Sequence, residues 1–164
     1  MKKYIYEDNL TSEIIKDLKP NRRTVRAIIK KEDKYSVTFM QGGDVFIFIG
    51  GGINEDEDII DALKREALEE SGIEVEPVKH ICTIQNYSKR KDSIEYWHSD
   101  YYLCKVISEG HELSLEDYEK ENGIEIRWYT KEEMIKQLRD YPTSHSFGRS
   151  VQNRELLAFK SLFE

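Results

Sequence analysis

The sequence predicts a mixed α/β fold in which helices cover both faces of one sheet. Three features predict it. Runs of alternating apolar and polar residues recur from Thr24 to Tyr129, three stretches of helical period are interleaved with them, one early and two late, and no repeat or low-complexity segment interrupts the pattern.

Residues 1–20 read as an appendage: Tyr4 and Tyr6 alternate as in a short strand, and a brief helix is expected from Thr11 or Ser12 until Pro20 forbids its continuation. Val25, Ala27 and Ile29 then alternate with Arg26 and Ile28 in a strand, residues 31–34 turn the chain, and residues 35–40 form a second strand. Gln41, Gly42, Gly43 and Asp44 make a tight turn into a third apolar run, Val45 to Ile49, which delivers the chain to a glycine-rich loop at Gly50, Gly51 and Gly52. An acidic helix follows. Asp58 is its expected N-cap with Asp61 completing a capping box, and Gly72 supplies the left-handed C-terminal residue. Ile60, Leu63 and Ala67 should face the sheet, leaving the glutamates on the other side.

Beyond Gly72, residues 75–87 and 94–106 alternate again and are joined by a polar hairpin loop over residues 88–92. Residues 108–123 read as a long acidic loop, a length that in a compact domain often carries function. Residues 124–129 form another strand, in which Trp128 is expected to pack. Thr130 caps a helix over residues 131–140, with Glu133 completing a capping box, and Ser150 caps a last helix whose apolar face includes Val151, Leu156, Leu157, Phe159 and Leu162.

At 164 residues the chain is read as one domain spanning 1–164. Charged residues make up 35% and the net charge is −7, which argues against bulk attraction to nucleic acid or to an anionic membrane. Cys82 and Cys104 lie in apolar strand-like runs without metal-type spacing, so both are expected in the core of a protein in a reducing compartment. No segment has the length of a membrane span, and the expected location is the cytoplasm. The four histidines, His80, His98, His111 and His145, fall on unrelated elements without metal-type spacing and are read as surface or core residues, His145, in a loop before a helix, being the one alternative candidate for a base.

Candidate chemistry concentrates in residues 50–73. Glu66, Glu69 and Glu70 stand at i, i+3 and i+4 of the acidic helix, which places three carboxylates on one face. Such a trio alone is a solvated face as readily as a site, because exposed like charges at this spacing cost only about 0.2–0.5 kcal/mol per pair. Gly51, Glu57, Arg65, Glu66, Ala67, Glu69, Glu70, Gly72 and Ile73 together decide between the two. Their spacing resembles the Nudix box, G-x5-E-x7-R-E-U-x-E-E-x-G-U with U a bulky aliphatic residue, the signature of the Nudix hydrolases. Three positions depart from the usual pattern: Ile49 replaces a proline, Asp56 a glycine, and Ala67 is small for an aliphatic slot.

The resemblance implies an α/β/α sandwich with a mixed β-sheet, the Nudix fold, over about residues 22–141. It also implies a pyrophosphohydrolase that needs Mg²⁺ or Mn²⁺. Hard cations prefer oxygen ligands, neutralise the charge of a diphosphate and activate water, and a few carboxylates suffice for Mg²⁺. The metal ligands implied are Glu66, Glu69, Glu70 and the carbonyl of Gly50, with Arg65 and Glu57 completing the catalytic set and Arg65 orienting the glutamates. Many relatives supply a further carboxylate six or seven residues before a strand tryptophan; Glu121 stands seven before Trp128, with Glu119 and Glu125 as alternatives. Arg26, Gln41, Gly51 and Gly52 are the candidate substrate-binding residues. The substrate expected is a small nucleotide, because the basic clusters, Arg22, Arg23 and Arg26 and Lys89 to Lys91, suit two or three phosphates rather than a long RNA. A second copy of the chain, in a homodimer, is an open alternative as partner. A binding or sensing module that keeps the fold without turnover is the alternative function.

Overall fold

The computed structural model describes residues 2–8, 22–90 and 93–164. Its elements are β1 (Lys3–Asp8), β2 (Arg22–Lys31), β3 (Lys34–Met40), β4 (Val45–Ile47), β5 (Ile49–Gly52), α1 (Ile59–Ser71), β6 (Glu74–Arg90), β7 (Ser93–Ser108), α2 (Asp117–Asn122), β8 (Ile124–Thr130), α3 (Lys131–Asp140) and α4 (Gly148–Ser161). The helix expected between Thr11 and Pro20 lies outside the described residues.

The eight strands form one mixed sheet in the order β1-β6-β7-β2-β3-β4, with β5 also pairing β2 and β8 also pairing β3. β1 runs parallel to β6 and β2 parallel to β7; the other pairs are antiparallel. Alternation along β2 sorts the core into two layers. Val25, Ala27 and Ile29 pack with Leu63 and Ala67 of α1 on one face, while Ile28 packs with Phe48, Tyr101, Met134, Leu138 and Phe159 on the other, under α3 and α4. Every β2 residue from Thr24 to Ile29 is buried, as a strand covered on both faces must be. The sandwich expected from the sequence is therefore present.

One irregularity of the sheet shapes the site. β2 and β3 pair only at their hairpin end, Lys30 with Tyr35 and Lys31 with Lys34. Beyond it they part: β5 takes over pairing with β2, and β4 and β8 pair with β3. A cleft opens in the divergence.

Several elements differ from their sequence reading. Gly50, Gly51 and Gly52 are strand rather than loop, and the apolar run before them breaks at Phe48. Gly50 has φ +150, and a Cβ there would stand 2.0 Å from the Val25 carbonyl oxygen, so only glycine fits this pairing with β2. β6 and β7 extend to Arg90 and from Ser93, so the hairpin connection is shorter than residues 88–92. The acidic loop contains the one-and-a-half-turn helix α2. α4 begins at Gly148 with Phe147 at its N-cap, so Ser150 is inside it. Its buried face is also polar, Gln152, Arg154 and Glu155 beside Ala158 and Phe159. The reason lies in β4 and β5: the Phe46 N–H donates to Gln152 Oε1 at 3.2 Å and the Phe48 N–H to Glu155 Oε2 at 2.7 Å, so α4 supplies acceptors that a strand neighbour would otherwise provide.

Other readings hold. Asp58 Oδ1 accepts from the N–H groups of Ile60 and Asp61, although no return bond from Asp61 closes a box, and Gly72 ends the helix in the left-handed region at φ 68. Thr130 and Glu133 form their reciprocal capping box. Cys82 and Cys104 are buried free thiols pushed by burial up to about 11 and about 12. Among the described residues no helix is long and apolar enough to cross a membrane.

Candidate active site

α1 presents the box glutamates to β5 rather than to solvent. Glu66 and Glu70 are buried with Leu63 and Ala67, which corrects the expectation that the glutamates face away from the sheet. The contact is close: a Cβ on Gly51 would stand 2.6 Å from Glu66 Oε1, and the Gly50 N–H donates to Glu70 Oε2 at 3.1 Å. The small side chain of Ala67, fully buried, permits this approach of helix to sheet. Asp56, where the box usually has glycine, adopts φ 62, so the turn keeps its left-handed conformation without the glycine.

Arg65 ties the group together. Its Nε donates to Glu57 Oε2 at 2.8 Å, its Nη2 to Glu57 Oε1 at 2.9 Å and to the Gly52 carbonyl at 3.0 Å, and its Nη1 to Glu66 at 3.0 Å and Glu69 at 3.3 Å. The planar guanidinium thus grips three carboxylates and one carbonyl. The Arg65 bonds lower the Glu57 carboxyl to about 2, and those to Glu57 raise Arg65 in turn.

Glu121 does not face this group. It is exposed on α2, whereas Glu119, two residues earlier, is buried and within hydrogen-bonding reach of Glu70. Counting back from Trp128 treats the segment as extended, but residues 117–122 coil into a helical turn whose capping box, the Glu116 N–H donating to Glu119 Oε1 at 2.8 Å, aims Glu119 inward. Glu125 bonds Arg127 on the surface. Gln41 is exposed too, its side chain directed to Glu125 at 3.5 Å and away from the cleft.

The cleft has a volume of about 270 Å³, and its lining includes Arg22, Arg26, Phe48, Gly50, Gly51, Glu70, Tyr118 and Glu119. Arg26 is buried on its floor with Nη1 donating to the carbonyls of Phe48 and Gly50, each at 3.1 Å. The Gly50 carbonyl expected to bind metal therefore already accepts a hydrogen bond from Arg26. Trp97, from β7, stacks under the Arg22 guanidinium at 5.0 Å. Burial pushes the Tyr118 hydroxyl up to about 12, with Glu119 and Glu70 adding to it.

Does the donor set fit a divalent cation? Every candidate ligand is a hard oxygen, from Glu66, Glu69, Glu70, Glu119 or the Gly50 carbonyl, the chemistry of Mg²⁺ and Mn²⁺ rather than of zinc. Burial pushes the carboxyls of Glu66 and Glu70 upward, Arg65 opposes this at Glu66 and Arg26 at Glu70, and neighbouring carboxylates add to it. A cation beside them would favour the ionised forms. Among the described residues, no three Asp, Glu, His or Cys side chains close on a single point in a metal-binding arrangement; Arg65 holds one oxygen of Glu66 and the Gly50 N–H one of Glu70.

A second polar cluster lies on the α1 face of β6 and β7, and the scattered positions of its histidines concealed it. Asp100 accepts from Thr83 Oγ1 at 2.5 Å and faces His80 Nε2 at 3.0 Å and His98 Nε2 at 3.5 Å. Register shifts in β6 between His80 and Cys82 bring His80 and Thr83 to one side. Burial opposes ionisation of Asp100, but bonds from His98, Thr83 and His80 overcome it and hold the carboxyl at about 2. A depressed carboxyl stabilises the fold above its unfolded value, near 3.9, and loses that effect as pH falls through 2. Asp100→Asn is therefore expected to destabilise by about 2 kcal/mol at pH 7. Urea melts should show the difference shrinking between about pH 4 and pH 2; a difference constant down to pH 2 would assign the loss to packing instead.

Fold and site together define a sandwich with an acidic helix laid under a glycine strand at the end of a cleft. The sequence profile of the NUDIX domain matches residues 20–150, and the chain belongs to the Nudix family of hydrolases, which act on phosphoric anhydride bonds. The fold is similar to that of a NUDIX hydrolase from Nitrosomonas europaea, at 22% identity and TM-score 0.62 over 87% of this chain and 91% of that one. It is also similar to a UDP-X diphosphatase, at 16% identity and TM-score 0.58 over 92% and 68% of the two chains, and to an ADP-ribose pyrophosphatase from Streptococcus suis, at 15% identity and TM-score 0.54 over 85% and 90%. No protein of curated function matches the chain by sequence.

Proposed function

We propose that this chain is a Mg²⁺- or Mn²⁺-dependent pyrophosphohydrolase that cleaves the diphosphate of a small nucleotide linked to a further group, water attacking one phosphorus. The observation that carries the reading is the gathering of Glu66, Glu69, Glu70 and Glu119 beside the cleft, with Arg65 bonded to two of them and to Glu57. A binding module without turnover has no need of a carboxylate group whose burial works against its own charge. Two proteins of similar fold are named for nucleoside diphosphates that carry another group, and that linkage is the one proposed here.

A divalent cation held by Glu66, Glu69, Glu70 and the Gly50 carbonyl would offset the diphosphate charge and lower the pKa of bound water. Arg65 fixes the orientation of Glu57, Glu66 and Glu69. Gly51 lets the Glu66 carboxylate lie directly against the β5 backbone, where any side chain would displace it. Arg22 and Arg26 line the cleft as cationic donors, beside the apolar residues Met40, Phe48 and Ile124. Glu119, bound neither by Arg65 nor by the Gly50 N–H, is the carboxylate assigned to the proton of the attacking water. We read residues 1–164 as one functional unit, because β1 joins the sheet beside β6 and α4 lines the cleft.

The general test is phosphate release from a panel of nucleoside diphosphate derivatives and dinucleoside polyphosphates, with Mg²⁺ and with Mn²⁺. No release from any of them would remove the reading. For the proton acceptor, Glu119→Gln should lower kcat about 10²-fold while Glu121→Gln leaves it within about two-fold. The reverse order would return the role to Glu121.

A further inference from the structure

Arg22 borders two cavities. One is the cleft. The other, of about 320 Å³, is bounded by Arg22, Arg23, Gly52, Asn54, Arg65 and Glu66, and Glu116 also lines it. It takes Gly52 of β5 and Glu66 of α1 where the cleft takes Gly50, Gly51 and Glu70, so the two cavities succeed one another along the same strand and helix. A ligand that spans them passes Arg22.

The other arginines of the two cavities are committed or unsupported. Arg26 is buried with Nη1 spent on the Phe48 and Gly50 carbonyls, and Arg154 is buried against Glu155. Arg65 is occupied by Glu57, Glu66, Glu69 and the Gly52 carbonyl. Arg23 is exposed, and among the described residues no ring or ion pair holds its side chain. Arg22 differs from all four. It is exposed, and among the described residues no carboxylate or carbonyl takes its N–H groups. Yet its position is fixed: the guanidinium lies 5.0 Å from the centre of the ring of Trp97, its register partner in β7, and a Cβ on Gly52 would stand 3.6 Å from its Nη2 and 3.7 Å from its Nε. Stacking engages the face of a guanidinium and leaves the donors on its edge free. A planar fork held in place with its donors unspent is prepared for a phosphoryl group, because little freedom is lost when the anion arrives.

We propose that Arg22 grips the substrate's diphosphate where it passes from the cleft into the second cavity, and that Trp97 is the positioning residue that holds Arg22 there. The inference rests on the nucleotide-hydrolase reading above. It gives Trp97 a task other than stacking on the base, since its ring supports the guanidinium, and it makes the grip independent of which base the nucleotide carries.

Calorimetric titration with the α,β-methylene diphosphates of adenosine and uridine in Mg²⁺ tests it, since the methylene bridge cannot be hydrolysed, beside kcat and KM for whichever nucleotide the panel shows to be cleaved. Arg22→Gln should weaken both analogues and raise KM about 10- to 100-fold, with kcat within about three-fold. Its Tm should fall by less than about 4 °C, because only a stacking contact is lost. Trp97→Leu should weaken both analogues equally, by about three- to five-fold, and cost nothing further in an Arg22→Gln background. Trp97→Phe, which keeps a ring under the guanidinium, should restore most of that loss, and Arg22→Lys, which keeps charge without the planar fork, should recover little. Unchanged affinity and KM in Arg22→Gln would overturn the proposal, as would full recovery in Arg22→Lys. A Trp97→Leu protein that loses the adenosine analogue more than the uridine one, or loses as much without Arg22 as with it, would make Trp97 a platform for the base and overturn its positioning role. Arg22-dependent binding in a protein that hydrolyses nothing on the panel would instead sink the hydrolase reading alone.

Discussion

Glu70→Gln should lower the hydrolysis rate by about 10² or more while the protein melts at the same temperature or higher. Both halves follow from where α1 puts the side chain. Glu70 accepts the Gly50 N–H at 3.1 Å, and a glutamine carbonyl can accept the same bond. Burial raises the Glu70 carboxyl well above its ordinary value, so the fold bears a cost for this charge that an amide removes. Catalysis loses a charged oxygen from a site that works by electrostatics. Glu69→Gln should show the same loss of rate with even less effect on stability, because Glu69 is only half-buried. Steady-state rates at saturating Mg²⁺, beside melting curves in metal-free buffer, separate the two quantities. A Glu70→Gln enzyme at the wild-type rate would remove Glu70 from the ligand set, and one that unfolds would make it a structural residue.

The parts of the site legible in the sequence are those in which chemistry dictates spacing. Carboxylates that share a cation must rise from one helical face, and the arginine that orients them must reach back to Glu57 across the turn; Arg65 does both. Caps were legible for a similar reason, since a free N–H or C=O at a helix end accepts few side chains. Burial was harder to read. A helical wheel treats charge as outward, yet Glu66 and Glu70 lie between α1 and β5 because the glycines there leave room for them.

The buried polar face of α4 was not legible, although Arg26 on the other side of the Phe48 carbonyl was. Hydrophobic periodicity finds apolar stripes, and α4 packs Gln152, Arg154 and Glu155 against a sheet whose Phe46 and Phe48 N–H groups need acceptors. Phe46 lies on the open edge of β4 and Phe48 in the break between β4 and β5, and no local pattern announces either. The Asp100 cluster was hidden by register: His80 and Thr83 reach one side of β6 through a bulge, which spacing along the chain does not display. Glu119 stood only as an alternative to Glu121, because spacing counted back from Trp128 does not display the helical turn of α2.

Arg65→Ala separates an orienting residue from one that grips substrate. Five hydrogen bonds end at its guanidinium, four to carboxylate oxygens and one to the Gly52 carbonyl, in a half-buried position. Removing them leaves Glu57, Glu66 and Glu69 to repel one another without a counter-charge. Because the side chain is 28% exposed, the loss should fall below that for a fully buried pair, at about 2–3 kcal/mol. For a chain of this size that is a fall of roughly 5–10 °C in Tm. Cation affinity or kcat should drop about 10- to 100-fold, since the glutamates lose their orientation, while KM for the nucleotide changes little. Arg65→Lys restores the charge but not the planar fork, so it should recover part of the stability and little of the rate. An Arg65→Ala protein with unchanged Tm and only a raised KM would show the guanidinium binding phosphate directly, and the bonds to Glu57, Glu66 and Glu69 would then be incidental to catalysis.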